Sequence, residues 1–556
     1  MYSLLIGGAA GQGIDTAAAV LEKALKRSGY HVFTMRDFMS RVRGGHNFIT
    51  LRFGPEEVPG HSTTFHGILA FNEETVALHQ DALTEGGFIL CDTAVNTDDP
   101  RAIKINMAEL ARTLGAANAA GSIAVGAALK LFSVELAGIE DILAESIKEK
   151  YLAINVQAVQ KGHSFAEQRF AYLGGGCKDC LLLTGSRALA LGALAAGLKF
   201  YAAYPMSPST TILEYLAAKS AKAGVVVEQA EDEIAAINMA IGASYAGARA
   251  MTGTSGGGFS LMVEALGLSG IAEIPLVVVD VQRPGPATGL PTRTEQSDLK
   301  FVISASQGEF PRMVIALRNH TDSFYQTIRA FRLAEQYQIP VILLSDQYLG
   351  DSSATIPPYD LDGIDVYPCG AADAGQEDYL RYRYTESGIS PRLIPGKTNH
   401  LVAADSDEHD ERGWITESSE VRVKMVDKRA KKLELLVEEL QEPEFMGEEG
   451  ASTLLIGWGS TYGPIREAVA LLNKSHGGGY GALVFGDVYP LPQKLLRAHA
   501  ASAKRILNVE QNATGQLAGL IREYAGIACT GSILKYDGRQ ISAQEIVTRV
   551  LKEGQQ

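Results

Sequence analysis

The chain has 556 residues, too many for one hydrophobic core, and this length points to roughly three or four domains. Hydrophobic residues make up 46% of it and glycines number 58, which fits packed α/β structure and excludes a disordered chain. A net charge of −14 argues against broad binding to nucleic acid or to an anionic membrane surface.

Met1 leads directly into a strand-like run, so no signal peptide is expected. Residues 1 to 175 begin with strand, glycine loop and helix. They continue with the strand-like runs "HVFTMRD", "HNFITLRF" and "GFILCD" and close in Ala-rich helices. This alternation of period predicts a largely parallel sheet covered by helices. Residues 181 to 355 repeat that logic, with short β-branched runs such as "VVVEQ", "PLVVVDV" and "PVILLSD". Runs without polar alternation predict strands buried on both faces. The stretch "ALALGALAAGLKFYAAY" is broken by Lys199 and follows Arg187, so no membrane span is expected. Residues 356 to 447 are rich in Pro, Asp, Glu, Arg and Tyr and read as a connecting arm with exposed charge and one amphipathic helix. Residues 448 to 556 form a last α/β unit. The expected fold class is α/β, with several doubly wound domains in series. Five cysteines argue against a disulfide framework, which places the chain in the cytoplasm.

Two constellations lie in the first segment. In "GGAAGQGI", Gly8, Gly11 and Gly13 with Gln12 can bring backbone N–H groups to a phosphate at a helix N-terminus. The spacing is not G-x-G-x-x-G, and no acid clearly ends a second strand, so NAD and FAD are poor matches; a ligand-free turn is equally compatible. In "SRVRGGHNF", an extended backbone projects Arg41 and Arg43 to one side. The pair suits a phosphate or carboxylate, or forms an exposed hairpin with solvated charges.

Three more lie in the second. In "YPMSPSTT", Pro205 and Pro208 bracket Ser207 and stiffen its backbone at a strand's C-terminal end, where open α/β sheets bind ligands. Ser209 reads instead as a helix N-cap. In "EDEIAAINM", Glu231 and Asp232 suit a helix N-terminus. Glu233 sits one step further in, where the apolar face begins, and reads either as a third dipole partner or as an acid–base group. In "DVQRPGPATGLPTRTEQSDL", Arg283 follows a buried strand and precedes a long polar loop carrying Thr288 and Arg293. "CKDC" at 177–180 reads as an incidental pair, because four thiolates are the usual need of an iron–sulfur cluster. "DSDEHDERG" at 405–413 reads as a solvated acidic turn, so no metal ligand is expected in this chain.

Read together, these motifs resemble the 2-oxoacid:ferredoxin oxidoreductases, specifically an alpha subunit with a gamma domain fused at its N-terminus. "GGAAGQGI" and "SRVRGGHNF" look like the gamma domain. "YPMSPST", "EDEIAAINMAIGASYAGARAMTGTSGGG" and "QRPGPATGLPTRTEQSDL" look like the domain that binds the thiamine aminopyrimidine. "VEQNATGQLAGLIRE" looks like a transketolase-like C-terminal domain, and "GISPR" at 388–392 is most similar to the 2-oxoglutarate branch.

The resemblance implies roles. Glu233 would hydrogen-bond the aminopyrimidine, and Ser207 with Pro205 would lie at the cofactor and the substrate carbonyl. Arg283 would hold the substrate carboxylate, with Arg293 and Thr288 as further substrate contacts. Gly8, Gly11, Gln12, Gly13, Arg41 and Arg43 would hold coenzyme A. No GDG motif with a following NN segment is present, nor enough cysteines for a cluster. The family pattern therefore implies a beta subunit that brings the diphosphate site, Mg2+ and a [4Fe–4S] cluster, in an α2β2 assembly served by ferredoxin. The implied reaction converts 2-oxoglutarate to succinyl-CoA and CO2. Pyruvate or another 2-oxoacid is the alternative substrate, and a non-catalytic nucleotide-binding or assembly subunit is the alternative class.

Overall fold

The structure is a computed structural model and describes residues 1–39, 45–364, 366–370 and 378–553. They form two compact units, Met1–Thr184 with Asp351–Tyr359, and Gly185–Gly350 with Asp360–Gln556. Arg41 and Arg43 lie outside the described residues.

The first unit is built on an eight-stranded sheet. Its order is Ala102–Ile105, Leu83–Asp92, Phe65–Ala70, Tyr2–Ala9, His46–Gly54, His31–Asp37, Ser353–Ile356 and Leu181–Thr184. The first four run parallel, but the pairings of His46–Gly54 with both its neighbours are antiparallel. The expectation of a largely parallel sheet fails on this half. Too few residues separate His31–Asp37 from His46–Gly54 for a helical crossover, so the second strand returns antiparallel. Strands Leu181–Thr184 and Ser353–Ile356 also join this sheet, both pairings antiparallel, although local pattern assigns them to the second segment. Their place is set by pairing across long sequence separation, which no local period reports.

The helices behind the sheet are Ala-rich because they must approach closely. A Cβ on Gly126 would lie 1.9 Å from the Val159 carbonyl oxygen, and one on Gly162 would lie 1.9 Å from that of Ile123. Helices Ala120–Leu131 and Glu149–Phe165 therefore touch backbone to backbone.

The second unit holds two sheets. The larger has seven strands in the order Asp487–Tyr489, Met313–Ala316, Pro340–Asp346, Leu276–Gln282, Ala250–Thr254, Phe200–Ala203 and Val226–Gln229. All pairs are parallel except that of Asp487–Tyr489 with Met313–Ala316. Strands Leu276–Gln282 and Pro340–Asp346 are buried along their whole length, as runs without polar alternation predict. Val226–Gln229 is instead an edge strand, and Val226 is 59% exposed; a β-branched run does not distinguish centre from edge. The smaller sheet has five strands in the order Glu444–Gly447, Tyr480–Phe485, Thr453–Trp458, Arg505–Glu510 and Gly531–Leu534.

The arm is not a strip of exposed charge. Its helix Ser419–Glu438 buries Lys428 and Lys432, which lie 2.5 Å from the two carboxylate oxygens of fully buried Glu273. Arg381 donates to the Glu273 carbonyl at 2.7 Å and to Gln338 at 3.0 Å. Burial pushes the Glu273 carboxyl up, but the charges of Lys432, Lys428 and Arg381 outweigh it and hold the group well below the usual carboxylate range. In the acidic turn, Glu408 pairs bidentately with Arg429 at 3.1 and 2.8 Å, so that turn is an anchor rather than a solvated loop. Glu273→Gln leaves two buried ammonium groups without a counter-charge. It is expected to cost about 3–5 kcal/mol, read as a lowered denaturant midpoint.

Candidate active site

The sheet order of the second unit makes a crevice. From strand Phe200–Ala203 the chain goes first to Val226–Gln229 on one side, then to Ala250–Thr254 on the other. The connections leave in opposite directions at the C-terminal ends, which is where doubly wound sheets take ligands. Ser207, Glu233, Gly256–Gly258 and Arg283 follow four successive strand ends there.

Glu233 opens helix Glu233–Tyr245, and Asp232 is the N-cap, its carboxylate accepting from Ala235 N at 2.7 Å. Asp232 thus takes the capping work, and Glu233 is released from it. Glu233 is 3% exposed, and its Oε1 has no hydrogen-bond partner among the described residues. A buried carboxylate oxygen left unpartnered is costly, so its position calls for a ligand. Gly258 lets the carboxylate pack in, since a Cβ there would sit 2.3 Å from Glu233 Oε1 and 2.1 Å from Thr254 Oγ1.

Ser207 is exposed at the crevice, and its peptide bond to Pro208 is cis. Ser209 does not cap the following helix with its side chain; its Oγ donates to the Met206 carbonyl at 2.7 Å instead. Arg283 Nη1 donates to the Ser207 carbonyl at 2.6 Å, so the arginine and the serine are delivered as one unit. Arg283 is 9% exposed, and its Nε has no acceptor among the described residues. Burial lowers its guanidinium from the ordinary value, while Asp298 pulls it back up. A buried guanidinium with a free donor is suited to an anionic ligand. Thr288 lies in the exposed stretch after Arg283. Arg293 is carried further on, its Cβ 3.1 Å from where a Cβ on Gly538 would lie.

Two further acids meet at this crevice, Asp280 and Asp298. Asp280, inside strand Leu276–Gln282, is fully buried, and neither carboxylate oxygen has a hydrogen-bond partner among the described residues. Burial and then the neighbouring Asp298 hold its carboxyl well above the usual range. Burial pushes Asp298 up to about 6, with Arg283 acting against it. The signal was present: "PLVVVDV" has a single acid in an otherwise apolar run.

The loop that carries Asp298 is tied to the smaller sheet. Gln296 N donates to Gln511 O at 2.7 Å, and Gln511 N returns a bond to Gln296 Oε1 at 3.1 Å. Gln296 Nε2 donates to Trp458 O at 2.8 Å, and Asn512 donates to Gln296 O at 3.0 Å. Glu510 accepts from Trp458 Nε1, Asn512 and the N–H groups of Leu517 and Ala518, which fixes the first turn of helix Gln516–Ala525.

In the first unit, the glycine loop is a strand-to-helix turn. Gly11 and Gly13 have φ of +88° and +83°, which other residues rarely adopt. Gly8 is packed against Gln12, whose Oε1 accepts from Ala9 N at 2.7 Å. A cavity of about 470 Å³ opens beside it, lined by Gln12, Gly13, Thr16, Asn118, Ser122 and Lys148 among others. Cys177 and Cys180 are joined in a disulfide, so the pair is not incidental. No helix of the described residues is long and apolar enough to cross a membrane.

Residues 191–428 match a family model described as pyruvate flavodoxin/ferredoxin oxidoreductase, thiamine-diphosphate-binding, and residues 3–165 match one described as pyruvate ferredoxin/flavodoxin oxidoreductase. A Sulfolobus protein named 2-oxoacid:ferredoxin oxidoreductase subunit alpha is 32% identical over all of this chain and 97% of its own. The 2-oxoglutarate synthase subunit KorA of Archaeoglobus fulgidus is 34% identical over 63% of this chain and 91% of its own. The solved 2-oxoglutarate:ferredoxin oxidoreductase of Magnetococcus marinus, with 2-oxoglutarate, coenzyme A and succinyl-CoA bound, superposes with a TM-score of 0.93 at 33% identity over 99% of both chains.

The raised Asp298 carboxyl has a stability consequence. The native chain holds that proton more tightly than the unfolded one, so its contribution is full below about pH 4 and is lost as pH rises through about 6. Asp298→Asn removes this loss. Relative to the parent, the variant is expected to gain roughly 1–3 kcal/mol between pH 4 and 7, read from unfolding midpoints across that range.

Proposed function

The chain belongs to the 2-oxoacid:ferredoxin oxidoreductases as a thiamine-diphosphate-dependent alpha subunit, and on that premise we propose that its substrate is 2-oxoglutarate. The proposed reaction takes 2-oxoglutarate and coenzyme A to succinyl-CoA and CO2, with two electrons leaving singly to ferredoxin. The observation that carries it is a buried carboxylate, Glu233, whose Oε1 has no partner among the described residues, and a buried guanidinium, Arg283, at one crevice. Support for the substrate comes from the 2-oxoglutarate named with the Magnetococcus marinus structure and from the 2-oxoglutarate synthase relatives.

The residues fit an aminopyrimidine. Glu233 Oε1 is buried and has no partner among the described residues, which leaves it available to a ring nitrogen. When bound, thiamine diphosphate supplies the carbon nucleophile and takes up the electrons left as CO2 departs. In the proposal, Glu233 holds a proton at Oε1 against a ring nitrogen and fixes the ring's tautomer. Pro205 and Ser207 line the mouth, with the Ser207 hydroxyl at the substrate carbonyl. Arg283 binds the 2-oxoacid carboxylate while its Nη1 keeps Ser207 in place. Thr288 and Arg293 are the proposed contacts for the second carboxylate.

Gly8, Gly11, Gln12 and Gly13, with Arg41 and Arg43, are the proposed coenzyme A contacts; the cavity beside the loop, with amide, hydroxyl and ammonium donors, supports this. A beta subunit would bring Mg2+, the diphosphate contacts and the [4Fe–4S] cluster, in an α2β2 assembly. Support for such a partner lies in Ile234 and Met239, 49% and 42% exposed on the helix that Glu233 opens. A cytoplasmic setting accords with free thiols at Cys91, Cys369 and Cys529, whereas the Cys177–Cys180 disulfide stands against it.

Two experiments test the reading. Co-purified with its beta partner and assayed with an artificial electron acceptor, the complex is expected to favour 2-oxoglutarate over pyruvate by about 100-fold or more in kcat/KM, as expected where a site is built to pair a second carboxylate. Activity with pyruvate alone would overturn the substrate assignment. Glu233→Gln is expected to cut turnover by about 100- to 10,000-fold while the complex still assembles, checked by gel filtration. Near-normal turnover would remove Glu233 from the chemistry.

A further inference from the structure

We propose that His31, Cys177 and Cys180 form a binding site for one thiophilic divalent cation of the zinc class when the Cys177–Cys180 disulfide is reduced. A ring nitrogen of His31 and the two sulfurs all lie within 4.8 Å of one another. A tetrahedral zinc with Zn–S bonds of about 2.3 Å spaces two sulfurs roughly 3.8 Å apart, within the 4.8 Å that spans the three groups. His31 Nδ1 is buried and has no hydrogen-bond partner among the described residues, an arrangement that a ligand resolves.

The three groups are held together by backbone, not by chance contact. Cys177 N donates to Gly29 O at 3.0 Å, two residues before His31. Leu173 N donates to Tyr30 Oη at 2.8 Å, and Tyr172 Oη donates to the Ser28 carbonyl. A Cβ on Gly175 would lie 2.1 Å from the Gly29 carbonyl oxygen, so the two segments cross where neither has a side chain. Cys177 is 1% exposed, whereas Cys180 is half-buried, which leaves one side open to water. Three protein ligands and a solvent ligand complete a tetrahedron.

A dithiol reductant passes two protons and two electrons to the disulfide and leaves as its own cyclic disulfide. Cation binding then displaces the two thiol protons. The bound cation would pin residues 172–180 to the start of strand His31–Asp37, just before strand Leu181–Thr184 joins the same sheet.

The test uses the full chain, reduced under argon with a dithiol, freed of reductant and titrated with Co2+. One equivalent is expected to give near-ultraviolet thiolate-to-cobalt charge transfer with the visible bands of a four-coordinate ion, and Zn2+ is expected to bleach both. Cys180→Ser is expected to lose at least half of the charge-transfer intensity. His31→Gln, at a strand start and with an unchanged far-ultraviolet spectrum as its control, is expected to weaken the affinity by about tenfold or more. A reduced parent chain with no charge-transfer band, or titrations unchanged in both variants, would overturn the site and leave a disulfide without a metal role.

Discussion

Gln296 bridges a loop and a sheet that are distant in sequence, and the candidate site hangs on that bridge. Every polar group of Gln296 and Gln511 there is buried, so each must find a protein partner. They find each other, Trp458, Asn512, Gln540 and the Ile541 N–H. The smaller sheet therefore acts as a wall that holds the loop behind Arg283. Asp298, on that loop, sits beside Arg283 and Asp280 because of it. A carboxylate pair with one guanidinium in low dielectric is a balanced set: the arginine charge is retained, while the acids are pushed toward their neutral forms.

A second set of buried charges secures the arm. Glu273, Lys428, Lys432 and Arg381 satisfy one another with no access to water. Arg392 does the same with Glu335 at 2.6 Å and with the Ser244 carbonyl. Such pairs add little net stability over apolar packing, but they fix register, because any slip strands a buried charge. Ser244 ends on the helix that Glu233 begins, so the arm also steadies the helix carrying the carboxylate of the site.

The glycines divide by physical role. Gly11 and Gly13 supply left-handed backbone for a tight turn. Gly126 and Gly162 let two helices meet. Gly258 is needed for neither reason; it leaves space for Glu233 and Thr254. Only the first class can be recognised from a strand–glycine–helix pattern. The other two depend on what lies across the contact.

Local sequence pattern settles the α/β class, the buried parallel strands of the second unit, and the placement of Ser207 and Arg283 after strand ends. These follow from local period and from proline and glycine punctuation, which act within a few residues. It also carried the motifs that mark the family. Long-range packing makes Asp232, not Ser209, the side-chain cap of its helix and leaves Glu233 Oε1 without a partner among the described residues. It alone paired Asp280 with Asp298, turned the arm's lysines inward, set Val226–Gln229 at an edge, and brought His31 to Cys177 and Cys180. Each of these depends on contacts between residues far apart in the chain, where burial and charge are settled together and no local pattern records the outcome.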